Sequence, residues 1–251
     1  MQHQTKLFFL FLLSLTFLQC ERSVTLEREE AHWEYEHPDW QNIGYQSCGG
    51  NAQSPIDINT GNTIISDDLP LPDIQYQPFN LKIVDNGHTI QVNAPDNNNF
   101  INYNGVRYDW VQLHFHHHSE HQLDMEHTDM ELHCVHRDAS GNLLVLTFMI
   151  EEGNESAFLN DIFNNIPAEK KVEVTPGIQI DLNQILPEDL SYYTYYGSLT
   201  TPPCSASVQF VVLKEALTAS AAQISKFANI YSDNSRPIQP LNNRFILEKR
   251  N

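Results

Sequence analysis

Basic residues are scarce in this chain. Only 14 Lys and Arg stand against 32 Asp and Glu, a formal charge of -18 over 251 residues. Such a balance repels phosphate backbones and anionic headgroups, which argues against nucleic acid or an anionic membrane surface as a partner. Linker-like sequence is lacking too. No Gly/Ser-rich or Pro-rich tract divides the chain and no internal repeat occurs, so it reads as a single domain. Past residue 20, no stretch is apolar enough to cross a bilayer. Helical periodicity is confined to residues 156–166 and 218–228, the second with Ser220 or Thr218 as its cap. There are four cysteines; with Cys20 set aside the count is odd, which leaves one thiol unpaired.

What is present is strand character in short runs. Residues 82–84, 89–93, 143–150 and 207–214 alternate or run apolar between Asn, Gly, Asp and Pro. The N-terminus differs in kind. Lys6 precedes an apolar run over residues 7–18, too short to span a bilayer and placed as the core of an export signal. Residues 1–20 are therefore expected to be a signal peptide, 21–31 an acidic segment and 32–251 the functional domain of a secreted, extracellular or periplasmic protein. Processing as a lipoprotein acylated at Cys20 is the alternative, and the only route by which a membrane would enter. Asn154-Glu155-Ser156 is a glycosylation sequon, relevant in a eukaryotic host.

The chemistry is concentrated in Gln112-Leu113-His114-Phe115-His116 and Glu131-Leu132-His133. Strand side chains alternate faces, so His114 and His116 point together with Gln112 beside them, and Phe115 points into a core. Residues 131–137 alternate as a second strand that places Glu131 with His133, and the 17-residue step from His116 to His133 suits neighbouring antiparallel strands. Spacing alone also admits His118, which shares a face with 114 and 116. Three imidazoles make a zinc site with an open fourth position, whereas structural sites fill all four. An open position holds water, whose pKa a dication on neutral ligands lowers toward neutrality. Gln112 and Glu131 suit the outer role of fixing imidazole tautomers.

At this point the chain resembles the α-class carbonic anhydrases from about His32 to about Arg244. In family order stand His32-Trp33-Glu34-Tyr35, Gln53-Ser54-Pro55-Ile56-Asp57-Ile58, Asn86-Gly87-His88, the QLHFH run and Ser119-Glu120-His121. They are followed by Glu131-Leu132-His133-Cys134-Val135-His136, residues 195–204 with Ser198-Leu199-Thr200-Thr201-Pro202-Pro203-Cys204, and Asn234-Ser235-Arg236-Pro237. The resemblance implies a mainly β, α+β domain with a central, mostly antiparallel twisted sheet of about ten strands, short peripheral helices, and zinc at the base of a conical cavity. It settles the register for His114, His116 and His133 as ligands, with Gln112, Glu131 and Asn234 behind them.

The same resemblance implies the activity, reversible hydration of carbon dioxide to bicarbonate and a proton, with sulfonamides and anions as inhibitors. Thr200 would be the gate residue, hydrogen-bonded to the buried Glu120. Thr201 with Thr200 would receive bicarbonate, and Val135, Val145 and Leu199 would form the apolar wall. His88 matches the proton shuttle, and Tyr35 and Asn86 the residues that order its waters. Phe210 stands where many animal members have tryptophan, and Gln91 where they commonly have asparagine. Cys48 and Cys204 match positions that pair in secreted members, with Cys134 a free buried thiol facing away from the metal. His117 and His118 read as rim residues, and His121 and His136 as buried, hydrogen-bonded structural histidines. The competing functions are a non-catalytic binding or matrix module, and ester hydrolysis as a side reaction.

Overall fold

The structure is a computed structural model that describes residues 31–251. The expected signal at 1–20, Cys20 and nearly all of the acidic segment lie outside the described residues.

Seven strands carry the argument: β1 (Ile83–Asp85), β2 (Ile90–Asn93), β3 (Val106–His116), β4 (Met130–Arg137), β5 (Leu143–Glu152), β6 (Tyr192–Ser198) and β7 (Ala206–Leu213). They lie side by side in the order β1-β2-β3-β4-β5-β7-β6 within a sheet of 13 strands. That is larger than the ten or so expected, because short strands such as Ile64–Ile65, Leu217–Ala219 and Glu173–Val174 add to its path and edges. The neighbours are antiparallel except that β5 runs parallel to β7. Parallel neighbours need a long crossover. Here residues 153–205 supply it, carrying helix α1 (Ala157–Phe163) and β6 itself.

Alternation along β4 divides the interior in two. Leu132 and Cys134 join Leu113, Phe115, Ile162 and Phe227 in the larger core. Val135, on the other face with Glu131 and His133, packs with Val145, Tyr195 and Phe210. The helices cover only the first face: the Phe115 ring sits 5.1 Å from that of Phe163 on α1 and 5.9 Å from that of Phe227 on α2 (Ala221–Ala228). Phe115 thus anchors the strand that presents His114 and His116 on the other face, and its full burial contributes about 1.5–3 kcal/mol.

The helix starts follow local chemistry. Ser156 caps α1 by accepting from Leu159 N. Ser220 caps α2, where Gln223 at the third position returns the bond to the Ser220 backbone and closes a capping box. This decides between the two expected caps and corrects the expected helix start at 218: Thr218 belongs to the strand Leu217–Ala219 beside β5. A β-branched residue fits that pleated edge.

Candidate metal centre

Strands β3 and β4 pair with His133 opposite His114 and Glu131 opposite His116. Each of His114, His116 and His133 offers one ring nitrogen to a common point, and those atoms lie within 4.8 Å of one another. The other nitrogen of each ring is already engaged. His114 Nδ1 is 2.8 Å from Gln112 Oε1, His116 Nδ1 is 2.8 Å from the Asn234 carbonyl, and His133 Nε2 is 2.5 Å from Glu131 Oε1. A carbonyl or carboxylate only accepts, so each of these nitrogens carries the proton and leaves a lone pair on the opposite side of the ring. His116 Nε2 is buried with no hydrogen-bond partner. An orphaned buried nitrogen beside two more lone pairs fits a metal ion. Three imidazoles are borderline donors suited to zinc.

Charge supports neutral rings at two of the three positions. Burial lowers the pKa of His114 well below its ordinary value, and the neighbouring His116 and His133 add to the effect. Burial likewise lowers His116, against the opposing pull of Glu120. At His133 burial also acts downward, but the charge and hydrogen bond of Glu131, with the charge of Glu120, together outweigh it and raise the pKa. Burial would raise Glu131 itself, yet His121 and His133 hold it well below the usual carboxylate range.

Glu131 heads a longer chain of bonds. It accepts from His121 N and His121 Nδ1, both at 2.7 Å. His121 Nε2 must then accept, and Tyr195 Oη lies 2.6 Å away; Ser54 Oγ follows at 2.8 Å from Tyr195 Oη. The direction is set from the carboxylate outward, from Ser54 through Tyr195 and His121 to Glu131, with His133 as the final donor. The second histidine-carboxylate group, His121, Glu131 and His133, is thus spent on internal bonds. His136 is also structural, between Tyr76 Oη at 2.8 Å and the Cys134 carbonyl at 2.9 Å.

Glu120 is fully buried. Its Oε1 accepts from Arg236 N at 3.0 Å, and its Oε2 is 3.4 Å from His116 Nε2 with no hydrogen-bond partner. Thr200 is buried, and no hydrogen bond joins its hydroxyl to Glu120 Oε2. The loop that carries Thr200 is closed by Leu199 N to Ser205 O at 2.9 Å and Cys204 N to Thr201 O at 2.9 Å. Cys204 is bonded to Cys48, while Cys134 is a free, buried thiol in the core on the far face. Arg236, which the sequence offered only as part of a motif, spans the same region: its guanidinium donates to Gln53 Oε1, Ser54 O and Cys48 O at 2.8–2.9 Å.

A cavity of about 100 Å³ is lined by Gln112, His114 and Thr201 with His88, Tyr35 and Trp33. His88 sits in the β1–β2 turn, where Gly87 has φ +98° and Asn86 Oδ1 accepts from the His88 and Thr89 amides at 2.9 Å. Asn86 Nδ2 donates to Gln91 at 3.1 Å, and Gln91 to Asn93 at 2.6 Å. Val135, Val145 and Leu199 meet in one apolar cluster with Phe210, whose ring stacks on Tyr195 and stands edge-on to His133. The stacking of Trp33 on His88, ring centres 3.9 Å apart, had no signal in the sequence beyond adjacency to a motif. His117 is half-buried, its ring on the Ser232 carbonyl at 2.8 Å, and His118 is exposed.

Comparison with known proteins agrees with this geometry. The profile of the eukaryotic-type carbonic anhydrases matches residues 35–250. A carbonic anhydrase of Klebsiella pneumoniae is 39% identical over 87% of this chain and 91% of its own length, and one of Nostoc sp. is 38% identical over 86% and 81%. The α-carbonic anhydrase of Thermovibrio ammonificans, solved with the inhibitor sulfanilamide, superposes with a TM-score of 0.83 at 37% identity, covering 86% of this chain and 99% of that one. With the sheet, the paired strands and the histidine triad already in place, these likenesses settle the family: the chain belongs to the eukaryotic-type carbonic anhydrases, and it is an enzyme of that family.

Proposed function

We propose that this protein binds one zinc ion through His114, His116 and His133 and interconverts carbon dioxide with bicarbonate and a proton. The observation that carries this reading is the set of three converging imidazoles, each with its outer nitrogen engaged by Gln112, Asn234 O or Glu131. Zinc on three neutral imidazoles supplies a Lewis acid that brings the pKa of water to about 7, a value for which carbonic anhydrase is itself the reference case.

The chain's own residues do the rest. Glu120, with Oε1 held by Arg236 N, keeps Oε2 as an acceptor facing the triad. To act as the gate, the Thr200 hydroxyl would donate to Oε2, which would leave its oxygen to accept from the attacking hydroxide and so orient it toward the substrate carbon. Val135, Val145, Leu199 and Phe210 hold the uncharged gas against an apolar wall, and Thr201 with the Thr200 amide receives the anion. His88 takes the proton through waters ordered by Tyr35 and Asn86. Its ring lines the same cavity as His114, and imidazole can bind and release a proton near neutral pH. The sulfanilamide-bound relative supports sulfonamides as inhibitors. The Cys48–Cys204 disulfide supports an oxidising compartment and hence export.

The test is stopped-flow hydration of carbon dioxide by residues 21–251, with zinc measured in the same sample and the assay repeated after chelation. One zinc per chain and chelator-sensitive turnover are expected. Bound zinc without turnover would overturn the catalytic reading in favour of a binding module.

A further inference from the structure

A hollow of about 450 Å³ lies apart from the histidine triad, and strand alternation puts it there. On β6 and β7, Tyr195 stands opposite Phe210 in the apolar cluster beside His133. Tyr196 and its partner Gln209 therefore face the other way, with Thr194 on that same face. These three line the hollow together with Tyr103, Tyr108 and Phe245. Its floor is buried and polar. Thr194 Oγ1 donates to the Phe210 carbonyl at 2.6 Å, so toward Gln209 it can only accept, and the Gln209 amide nitrogen takes that side at 2.5 Å. Gln209 Oε1 is thereby turned away, and among the described residues no protein donor engages it, although Gln209 is only 8% exposed. Tyr192 Oη donates to the Pro70 carbonyl at 2.6 Å, so Tyr103 Oη spends its hydrogen on Tyr192 Oη at 3.0 Å and keeps lone pairs free. From Gln209 Oε1 and Tyr103 Oη, then, the floor offers acceptors. The rim is aromatic, with Tyr196 66% and Phe245 72% exposed.

We propose that this hollow is a binding site for a neutral pyranoside, independent of the metal chemistry. A buried acceptor without a donor is destabilising, and a ligand hydroxyl relieves it. Anions are disfavoured, because the floor presents lone pairs, Asp68 stands exposed at the mouth and the chain carries a formal charge of -18. An ammonium group would find the same acceptors, but no carboxylate lines the floor, and burying a cation without a counter-charge is costly. A pyranose ring satisfies floor and rim together. Its hydroxyls donate to Gln209 Oε1 and Tyr103 Oη, while its C–H face packs on a tyrosine or phenylalanine ring. Ser66 and Asn104, which also line the hollow, can donate to or accept from the remaining hydroxyls. The volume falls within the range of about 300–1,000 Å³ common to small-molecule sites. The site is also held in place before any ligand arrives: Gln209 is fixed by Thr194, and the Tyr196 carbonyl accepts from Arg244 Nη1 at 3.2 Å.

The experiment is a saturation-transfer NMR titration of the zinc-loaded protein with four probes: the methyl β-glycosides of glucose, galactose and N-acetylglucosamine, and methyl α-mannoside. It is repeated with sulfanilamide present, and with Tyr196→Ala, Phe245→Ala and Gln209→Met, whose folding is established by urea midpoints. At least one probe is expected to bind saturably, with a Kd that sulfanilamide leaves unchanged. Gln209→Met should weaken that Kd about three- to tenfold, the loss of one hydrogen bond. Tyr196→Ala and Phe245→Ala, which alter exposed side chains, carry the test if Gln209→Met fails to fold; at least one of them should weaken binding to a similar extent. No saturable binding of any of the four probes would overturn the assignment. So would displacement by sulfanilamide, a Kd unchanged in every folded variant, or tighter binding of tyramine, an aromatic ammonium, than of every pyranoside.

Discussion

Replacing Glu131 by Gln tests the proton order of the centre with almost no change of shape. The Glu131 carboxylate accepts from three donors, His121 N, His121 Nδ1 and His133 Nε2, at 2.7, 2.7 and 2.5 Å. In the variant, the amide oxygen must face the His121 amide, since a backbone N–H can only donate. The NH2 then occupies the Oε1 position and points its hydrogens at His121 Nδ1 and His133 Nε2. Both nitrogens become acceptors, and the proton of neutral His133 moves to Nδ1, the nitrogen on the metal side. Metal binding must now displace that proton or turn the ring. Loss of such an outer partner costs about 10- to 100-fold in metal affinity, or about 1.4–2.7 kcal/mol. The carboxylate charge that raises the pKa of His133 is lost as well. The assay is competition for zinc against a chromophoric chelator, alongside urea unfolding of the metal-free proteins to establish that the variant folds. A folded variant with the parent's zinc affinity would refute the tautomer argument.

Other predictions follow from the same contacts. His114→Ala should abolish zinc retention and turnover together, read by metal analysis and stopped flow. Thr200→Ala should slow hydration while one zinc per chain remains bound; an unchanged rate would remove Thr200 from the gate role. The Cys48–Cys204 bridge closes a loop with a separation of 156 residues, for which the chain-entropy relation gives about 5 kcal/mol. The Cys48→Ser/Cys204→Ser pair should therefore unfold at clearly lower urea, and an equal midpoint would contradict it. Burial pushes the His136 pKa down to about 3. The unfolded chain, with an ordinary histidine pKa near 6.5, binds that proton first, so the stability this neutral ring contributes is full above about pH 6.5 and is lost as pH falls toward 3. Urea midpoints measured across that window should fall less steeply in His136→Gln than in the parent.

Much of this centre was legible because it depends on short-range periodicity. Two-residue alternation places His114 with His116, and Glu131 with His133, whatever the rest of the chain does, and one antiparallel pairing then brings His133 opposite His114. The same period sends Phe115 and Cys134 into the opposite core. Residues 217–219 were harder, since Leu-Thr-Ala before a capping serine fits either a helix start or an edge strand, and only pairing with β5 chose the strand. The sheet's size was likewise beyond local pattern. Strands of two or three residues such as Ile64–Ile65 have no periodicity to detect and exist because a neighbour offers them hydrogen bonds.

The sequence by itself determined which side chains its strands present together, His114 with His116 and Gln112, and Glu131 with His133, and it set the family motifs in order. Only the tertiary structure decided the direction of the protons and the contacts that cross long stretches of chain. That His116 is held by the Asn234 carbonyl, 118 residues away, or Glu120 by the Arg236 amide, depends on backbone atoms that every sequence contains. The stacking of Trp33 on His88 arises from packing of segments far apart in the chain. Side-chain identity fixes what a group can donate or accept; which partner it meets is set by the fold, because burial leaves each polar atom only the neighbours that packing brings to it.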